Sequence, residues 1–259
     1  MTTFSIEADG ASLECRWIAR ERGSAGAIVL LHEGLGSLAM WKRFPEQLAE
    51  ATQRAVFVYS RRGYGQSAPC LANREPDYMH HEAREVLPAV LNAAEVERPI
   101  LFGHSDGASI ALLFAASYPS KVCGLVLEAP HVFVEQLTID SIAEARVSFE
   151  STDLVKKLGR YHARPDHAFR GWNDIWLDAR FRDWNITAEC AKIRCPILLI
   201  QGDQDEYGTA AQIEAITKAQ PNAKVLFLNA CGHSPHRDNP QQVLIATTEL
   251  VSSLETAWA

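Results

Sequence analysis

The sequence is short of several things. No apolar run is longer than Ile110–Ala116. That is far from the roughly 20 residues a membrane-spanning helix needs, so no membrane is expected as a partner. The first ten residues, MTTFSIEADG, hold no basic residue and no apolar stretch before the first acid, so no secretory signal is expected there. The six cysteines (Cys15, Cys70, Cys123, Cys190, Cys195 and Cys231) include no CxxC pair. They are too sparse in 259 residues for a disulfide framework. Cys15 and Cys123 fall in strand-like runs and read as core thiols, and a reducing cytoplasm is the expected compartment. Basic residues are outnumbered: 25 Lys and Arg against 32 Asp and Glu, a net charge of −7. Nucleic acid is therefore not an expected partner, because phosphate binding wants a basic surface. No HExxH occurs, and the neighbouring His80 and His81 point to different faces of any helix, so neither metal nor cofactor is expected. Disordered and fibrous classes are excluded by 47% apolar and 22% charged residues.

What is present is an alternation of short buried strands and helices. Phe4–Ala8 and Ser12–Ala19 around Asp9-Gly10 predict a β-hairpin. The run Ala27–Leu31 is continuous and apolar, as in a strand buried on both faces of a parallel sheet, Ala55–Tyr59 is a second buried strand, and Pro99–Phe102, Val122–Leu127, Pro196–Ile200 and Lys224–Leu228 are further predicted strands. Helices are predicted over 39–52, 79–94, 106–117, 209–219 and 240–253. This is an α/β fold with a mostly parallel, doubly wound sheet. From His131 to Ile193 the strand rhythm stops and only helical patterning remains, over 134–149, 152–161 and 165–177. The expected organisation is a core of residues 1–130 and 194–259, with 131–193 inserted as a helical lid over a site.

The sharpest chemical signal is Gly103-His104-Ser105-Asp106-Gly107. A G-x-S-x-G alone is weak, but here a buried strand ends at it and an Ala- and Leu-rich helix begins. In that context the serine occupies a strained, exposed strand-to-helix turn, and side chains at the two glycines would collide with the flanking elements. A serine hydroxyl needs a base. His233, in the loop after the last strand, lies where sites of parallel sheets gather; His236, His32 and His104 are its rivals. The histidine needs a carboxylate, and Gly202-Asp203-Gln204-Asp205-Glu206 follows strand PILLI with three acids that chemistry alone does not separate.

With these motifs in order, the chain resembles α/β-hydrolase-fold serine hydrolases over nearly its whole length. The order nucleophile, acid, histidine is that of the fold. The family's acid closes a G-x-x-D after the strand following the lid, and the resemblance thus selects Asp205. Its histidine lies in a G-H loop like GHSPH, and YSRRGYGQS resembles its R-G-x-G-x-S stretch. The resemblance implies an oxyanion hole from the backbone of Asp106 and of the loop after AIVLL. There His32-Glu33-Gly34 stands for the usual His-Gly-x, which makes Gly34 the second donor and Leu35 its substitute.

The implied activity is hydrolysis of a small-molecule carboxylic ester, lactone or thioester. A C–C bond hydrolase, a cofactor-free perhydrolase and a non-enzymatic small-ligand receptor of the same fold are the alternatives. The chain is expected to work as a monomer or homodimer. Trp172, Trp176 and Tyr161 are the candidate substrate contacts from the lid. Trp184, His162, His167 and Phe169 either join them or pack the lid onto the core. Asp106 and Glu33 would oppose an anionic substrate if they face it, unless Arg61 and Arg62 neutralise Glu33.

Overall fold

In the computed structural model, which describes residues 2–70 and 72–256, one eight-stranded sheet runs through the whole chain. β1 (Phe4–Ala8) and β2 (Ala11–Ile18) form the hairpin, with Ala8 paired to Ala11. Asp9 and Gly10 both have positive φ, 49° and 65°, the conformation a two-residue turn of this twist requires. β2 also pairs antiparallel with β4 (Val56–Tyr59). The remaining strands run parallel: β3 (Ile28–Leu31), β5 (Ile100–His104), β6 (Gly124–Glu128), β7 (Ile197–Gly202) and β8 (Lys224–Leu228). The order across the sheet is β1-β2-β4-β3-β5-β6-β7-β8.

The central strands read as unbroken apolar runs because successive side chains bury on opposite faces. Ile28, Leu30, Val56, Val58 and Phe102 join one core, against α1 (Phe44–Thr52) and α11 (Pro240–Thr256). Val29, Leu31, Phe57, Leu101 and Leu127 join the other, which includes α3 (Leu87–Ala93), α4 (Asp106–Ser117) and α9 (Ala210–Ala219). From Asp106 to Ala116 every residue of α4 is buried, which accounts for its lack of a polar face.

Three helical expectations need correction. The helix predicted over 39–52 is split: a 3-10 turn (Leu38–Trp41) ends at Lys42, whose φ of 52° stops helix propagation before α1. The helix over 79–94 begins as α2 (Tyr78–His81) and passes through a π-helical turn (Glu82–Val86) before α3. Of the helix over 152–161 only α6 (Leu154–Leu158) forms, since Gly159 and the following turn end it.

Between β6 and β7 the chain forms α5 (Gln136–Ser151), α6, α7 (Pro165–Leu177) and the short α8 (Thr187–Cys190). The only pairing described in this segment is an isolated bridge between Phe133 and Asn185. No described helix is long and apolar enough to cross a membrane.

Candidate active site

Ser105 occupies the one-residue turn between β5 and α4, with φ 54° and ψ −119°. A non-glycine residue in this region is strained, and strain of this kind persists only where its surroundings fix it. Here the fixing is visible. The Ser105 N–H donates to the Glu128 carbonyl at the end of β6, 2.9 Å away. A Cβ on Gly103 would run into the Gly107 carbonyl, and one on Gly107 into the Leu31 carbonyl. The glycines thus let strand, turn and helix close up, and the serine is pushed to the carboxyl edge of the sheet.

His233 lies in the loop between β8 and α10 (Pro235–Asp238). Its Nδ1 is 2.8 Å from Asp205 Oδ1. An ionised carboxylate only accepts, so Nδ1 carries the proton and Nε2 is left as the basic nitrogen. Asp205 is itself held: Oδ1 accepts from the Tyr207 N–H at 2.8 Å and from the Gly208 N–H at 3.2 Å, and Oδ2 accepts from Gln201 Nε2 at 2.8 Å. Burial alone would raise the pKa of this carboxyl, but His233 and the Tyr207 N–H outweigh it and bring it down to about 2. Its neighbours do other things. Asp203 accepts from the Cys231 N–H at 3.3 Å, and Glu206 accepts from the His233 N–H at 3.2 Å.

The rival histidines are engaged elsewhere. His236 is buried, with Nδ1 2.7 Å from Glu128 Oε2 and its ring against Trp41. His32 Nε2 accepts from the Arg61 N–H at 3.0 Å, which leaves Nδ1 to donate to the Glu33 carbonyl at 2.7 Å. Burial, aided by Arg61, keeps His32 well below the usual histidine range.

The loop after β3 is pinned from below. Arg61, fully buried, donates Nη2–H to the Glu33 carbonyl at 2.9 Å and to the His32 carbonyl at 3.4 Å. In a trans peptide, C=O and N–H point in opposite directions. With the Glu33 carbonyl drawn down to Arg61 and His32, the N–H of Gly34 is turned the other way. Gly34 lines a cavity of about 210 Å³ together with Leu35, Ser105, His131, Trp172 and His233. The amide of Asp106 is the first of helix α4, where N–H groups have no partner within the helix.

Arg61 escaped the sequence reading in this role. Its partners are backbone carbonyls distant in sequence, and these leave no motif beyond the RRG stretch itself. His131 was missed as well: it is buried, its ring is 5.7 Å from that of His233, and burial together with His233 pushes its pKa down to about 4.

Several expected contacts differ. The Asp106 side chain does not face the cavity. Its carboxylate accepts from Tyr78 Oη at 2.7 Å and Trp176 Nε1 at 3.2 Å, and lies 3.7 Å from Arg61 Nη2. It is the counterion of Arg61. Among the described residues Arg62 donates to the Pro69 carbonyl and not to Glu33, which lies 3.4 Å from His104 Nδ1 and 3.5 Å from Arg237 Nη2. Trp172 and Trp176 line the cavity, with Thr138 and Ile142 from α5. Tyr161 does not: it sits in the turn after α6, its N–H bonded to the Leu158 carbonyl. His162 Nδ1 accepts from the Gly65 N–H, Phe169 stacks on Phe149 at 3.9 Å, and Trp184 stacks on Phe181. His167 lines a separate cleft of about 490 Å³ on the other face of α7.

The sequence pattern of the Alpha/beta hydrolase family matches residues 28–247. The chain belongs to this family. Among proteins similar to this hydrolase-family chain is the human serine hydrolase BPHL, 25% identical over 224 residues that cover 81% of this chain and 74% of that one. The 2-(acetamidomethylene)succinate hydrolase of Mesorhizobium japonicum is 22% identical over 90% of this chain and 91% of its own length. Among solved structures, a membrane phospholipase A described as a bacterial virulence factor superposes with a TM-score of 0.78 at 21% identity, covering 98% of this chain and 86% of that one. This last likeness concerns the α/β-hydrolase fold alone.

Proposed function

We propose that the protein hydrolyses small-molecule carboxylic esters, thioesters or lactones through an acyl-enzyme. The observation that carries the reading is the strained Ser105 opening into the same cavity as a histidine whose Nδ1 is held by a buried carboxylate. In this reading His233 Nε2 takes the Ser105 proton as Oγ attacks the carbonyl carbon. The oxygen that becomes negative is met by the N–H groups of Gly34 and Asp106. The imidazolium then protonates the leaving group, and water, activated by the same histidine, releases the acid. Asp205 fixes the tautomer and stabilises the imidazolium. Membership of a hydrolase family and the named hydrolases among its relatives support bond hydrolysis.

The helices of 131–193 act as the lid in this scheme, with α5 and α7 closing the cavity above Ser105. A cavity of about 210 Å³ is small for a ligand pocket, which favours short acyl groups. The test is turnover of p-nitrophenyl acetate, butyrate and dodecanoate alongside thioester, lactone and C–C substrates, with fluorophosphonate labelling. Short esters should be turned over and Ser105 labelled, and both should vanish in Ser105→Ala. Turnover or labelling that survives in Ser105→Ala refutes the assignment, and preference for a C–C substrate refutes the ester reading.

A further inference from the structure

The proposed mechanism uses the ring of His233 and leaves its backbone unexplained. His233 belongs to a loop, with no helix or strand to hold it. Its N–H is taken by Glu206, and its carbonyl lies 2.6 Å from His104 Nε2. A carbonyl only accepts, so His104 Nε2 carries a proton. His104 is the last residue of β5, buried and directly before Ser105. Its Nδ1 faces Glu33 Oε2 at 3.4 Å, and Glu33 continues to Arg237 on α10. Gly36 makes room for this carboxylate, since a Cβ there would meet Glu33 Oε2. The rings of Trp41, His233 and His236 surround His104, and His236 is bonded to Glu128. Burial works against a charge on His104, but Glu33 and Glu128 outweigh it and raise its pKa.

We infer that His104, oriented by Glu33, is a positioning residue for the base: its Nε2–H fixes the His233 carbonyl and thereby the place of the His233 ring relative to Ser105. The inference rests on His233 being the base. It gives a reason for Glu33 at a position where a glycine would leave His104 without its carboxylate. It also ties both ends of the chemistry to one strand, since β5 carries His104 and leads directly into Ser105. Asp203, Asp238 and Glu206 hold the N–H groups of Cys231, Gly232 and His233, and His104 is what joins this loop to the strand that leads into Ser105; a displacement of about 1 Å costs on the order of 100-fold in rate.

Two near-isosteres separate this role from simple filling of space. The amide nitrogen of Gln reaches about as far as Nε2 of histidine, and that of Asn only as far as Nδ1. His104→Gln should keep kcat within about threefold, and His104→Asn should lose roughly 10- to 100-fold in kcat with KM changed less than about threefold. Fluorophosphonate labelling of Ser105 should slow in parallel. Equal losses in the two variants, or none in either, overturn the inference.

Glu33→Gln supplies a second, independent measurement. Its loss in kcat should shrink by more than half in the His104→Gln background, because the pair it serves is already gone. An equal loss in both backgrounds overturns the link, and this cycle decides alone should His104→Asn not fold. A wild type that neither turns over esters nor is labelled overturns instead the assignment of His233 and Ser105 beneath the inference.

Discussion

Arg61 joins stability to the proposed chemistry, and the two can be pulled apart. Its side chain is fully buried and that of Asp106 is 1% exposed, so neither charge is screened by water. Arg61→Met leaves Asp106 with two neutral donors, Tyr78 Oη and Trp176 Nε1, and no cation at 3.7 Å. Breaking a buried pair from one side costs about 3–5 kcal/mol, because the remaining charge stays behind uncompensated. The same change removes one of three donors to the Glu33 carbonyl, leaving His32 Nδ1–H and the Gly36 N–H, and so loosens the peptide of Gly34. Complete loss of a proposed oxyanion donor would cost roughly 100- to 1000-fold in kcat, which sets the upper limit for the loosened Gly34 peptide. Adding Asp106→Asn removes the stranded charge while keeping an acceptor for Tyr78 or Trp176. It should recover about 2 kcal/mol or more of the lost stability. It should not recover kcat, because the loop carbonyls are still without Arg61. Urea unfolding read by tryptophan fluorescence gives the first quantity and ester turnover the second. If kcat returns together with stability in the double variant, Arg61 acts only as a counterion and the account of the Gly34 peptide is wrong.

Other outcomes follow from single contacts. Asp205→Asn should lower kcat by about 10⁴-fold, as loss of the orienting acid does in a serine triad, and Asp203→Asn should lower it far less; the reverse ranking refutes the assignment of the acid. Because Asp205 titrates at about 2 when folded, its ionised form contributes roughly 2 kcal/mol above the ordinary carboxylate range, lost as pH falls from about 5 towards 2. Urea unfolding across that window should therefore fall more steeply for the wild type than for Asp205→Asn, and parallel curves would contradict it. Gly107→Ala places a methyl against the Leu31 carbonyl, a backbone group that cannot rotate aside, and should cost about 3 kcal/mol in thermal or urea unfolding. Asp106→Asn alone should leave the ratio of kcat/KM for a neutral ester and its carboxylate analogue within about twofold of the wild type; a larger change would place that side chain next to substrate after all.

How legible each part was depends on how local its cause is. The runs IVLL, VFVY and ILLI announce strands buried on both faces because each residue serves one of the two cores. The cause is equally local for Gly103, which avoids the helix of its own strand–turn–helix unit, but not for Gly107, which avoids the Leu31 carbonyl of β3. Three acids in GDQDE could not be ranked by chemistry, because what separates them is the path of the loop. The N–H groups of Tyr207 and Gly208 turn Asp205 back under His233, whereas Asp203 serves Cys231. The role of Arg61 was not legible at all: it acts on carbonyls of another loop, and carbonyls are the same for every residue. Tyr161 failed for a related reason. Aromatic character marks a residue for burial, but the turn after α6 decides which way it goes.

Charge at the site shows most plainly that adjacency in sequence is not adjacency to substrate. Asp106 follows Ser105, yet the turn sends the serine to the cavity and the aspartate down to Arg61, Tyr78 and Trp176. Glu33 does line the cavity, but burial, which would favour its neutral form, is outweighed by His104 and Arg237. These hold it well below the usual carboxylate range and balance the charge it keeps. Both carboxylates that could oppose an anionic substrate are therefore faced by arginines from elsewhere in the fold, Asp106 by Arg61 of the loop after β4 and Glu33 by Arg237 of α10. Glu206, at the rim, accepts from the His233 backbone and adds a more exposed and better screened charge. The field against an anionic substrate is thus much weaker than two unpaired carboxylates beside the proposed oxyanion loop would make it. Under the proposed function, discrimination then falls to shape. Leu35, Met40, Ile142, Trp172 and Trp176 close about 210 Å³ around Ser105, and an acyl group that overfills this space must displace aromatic side chains already packed against the loop that carries Gly34.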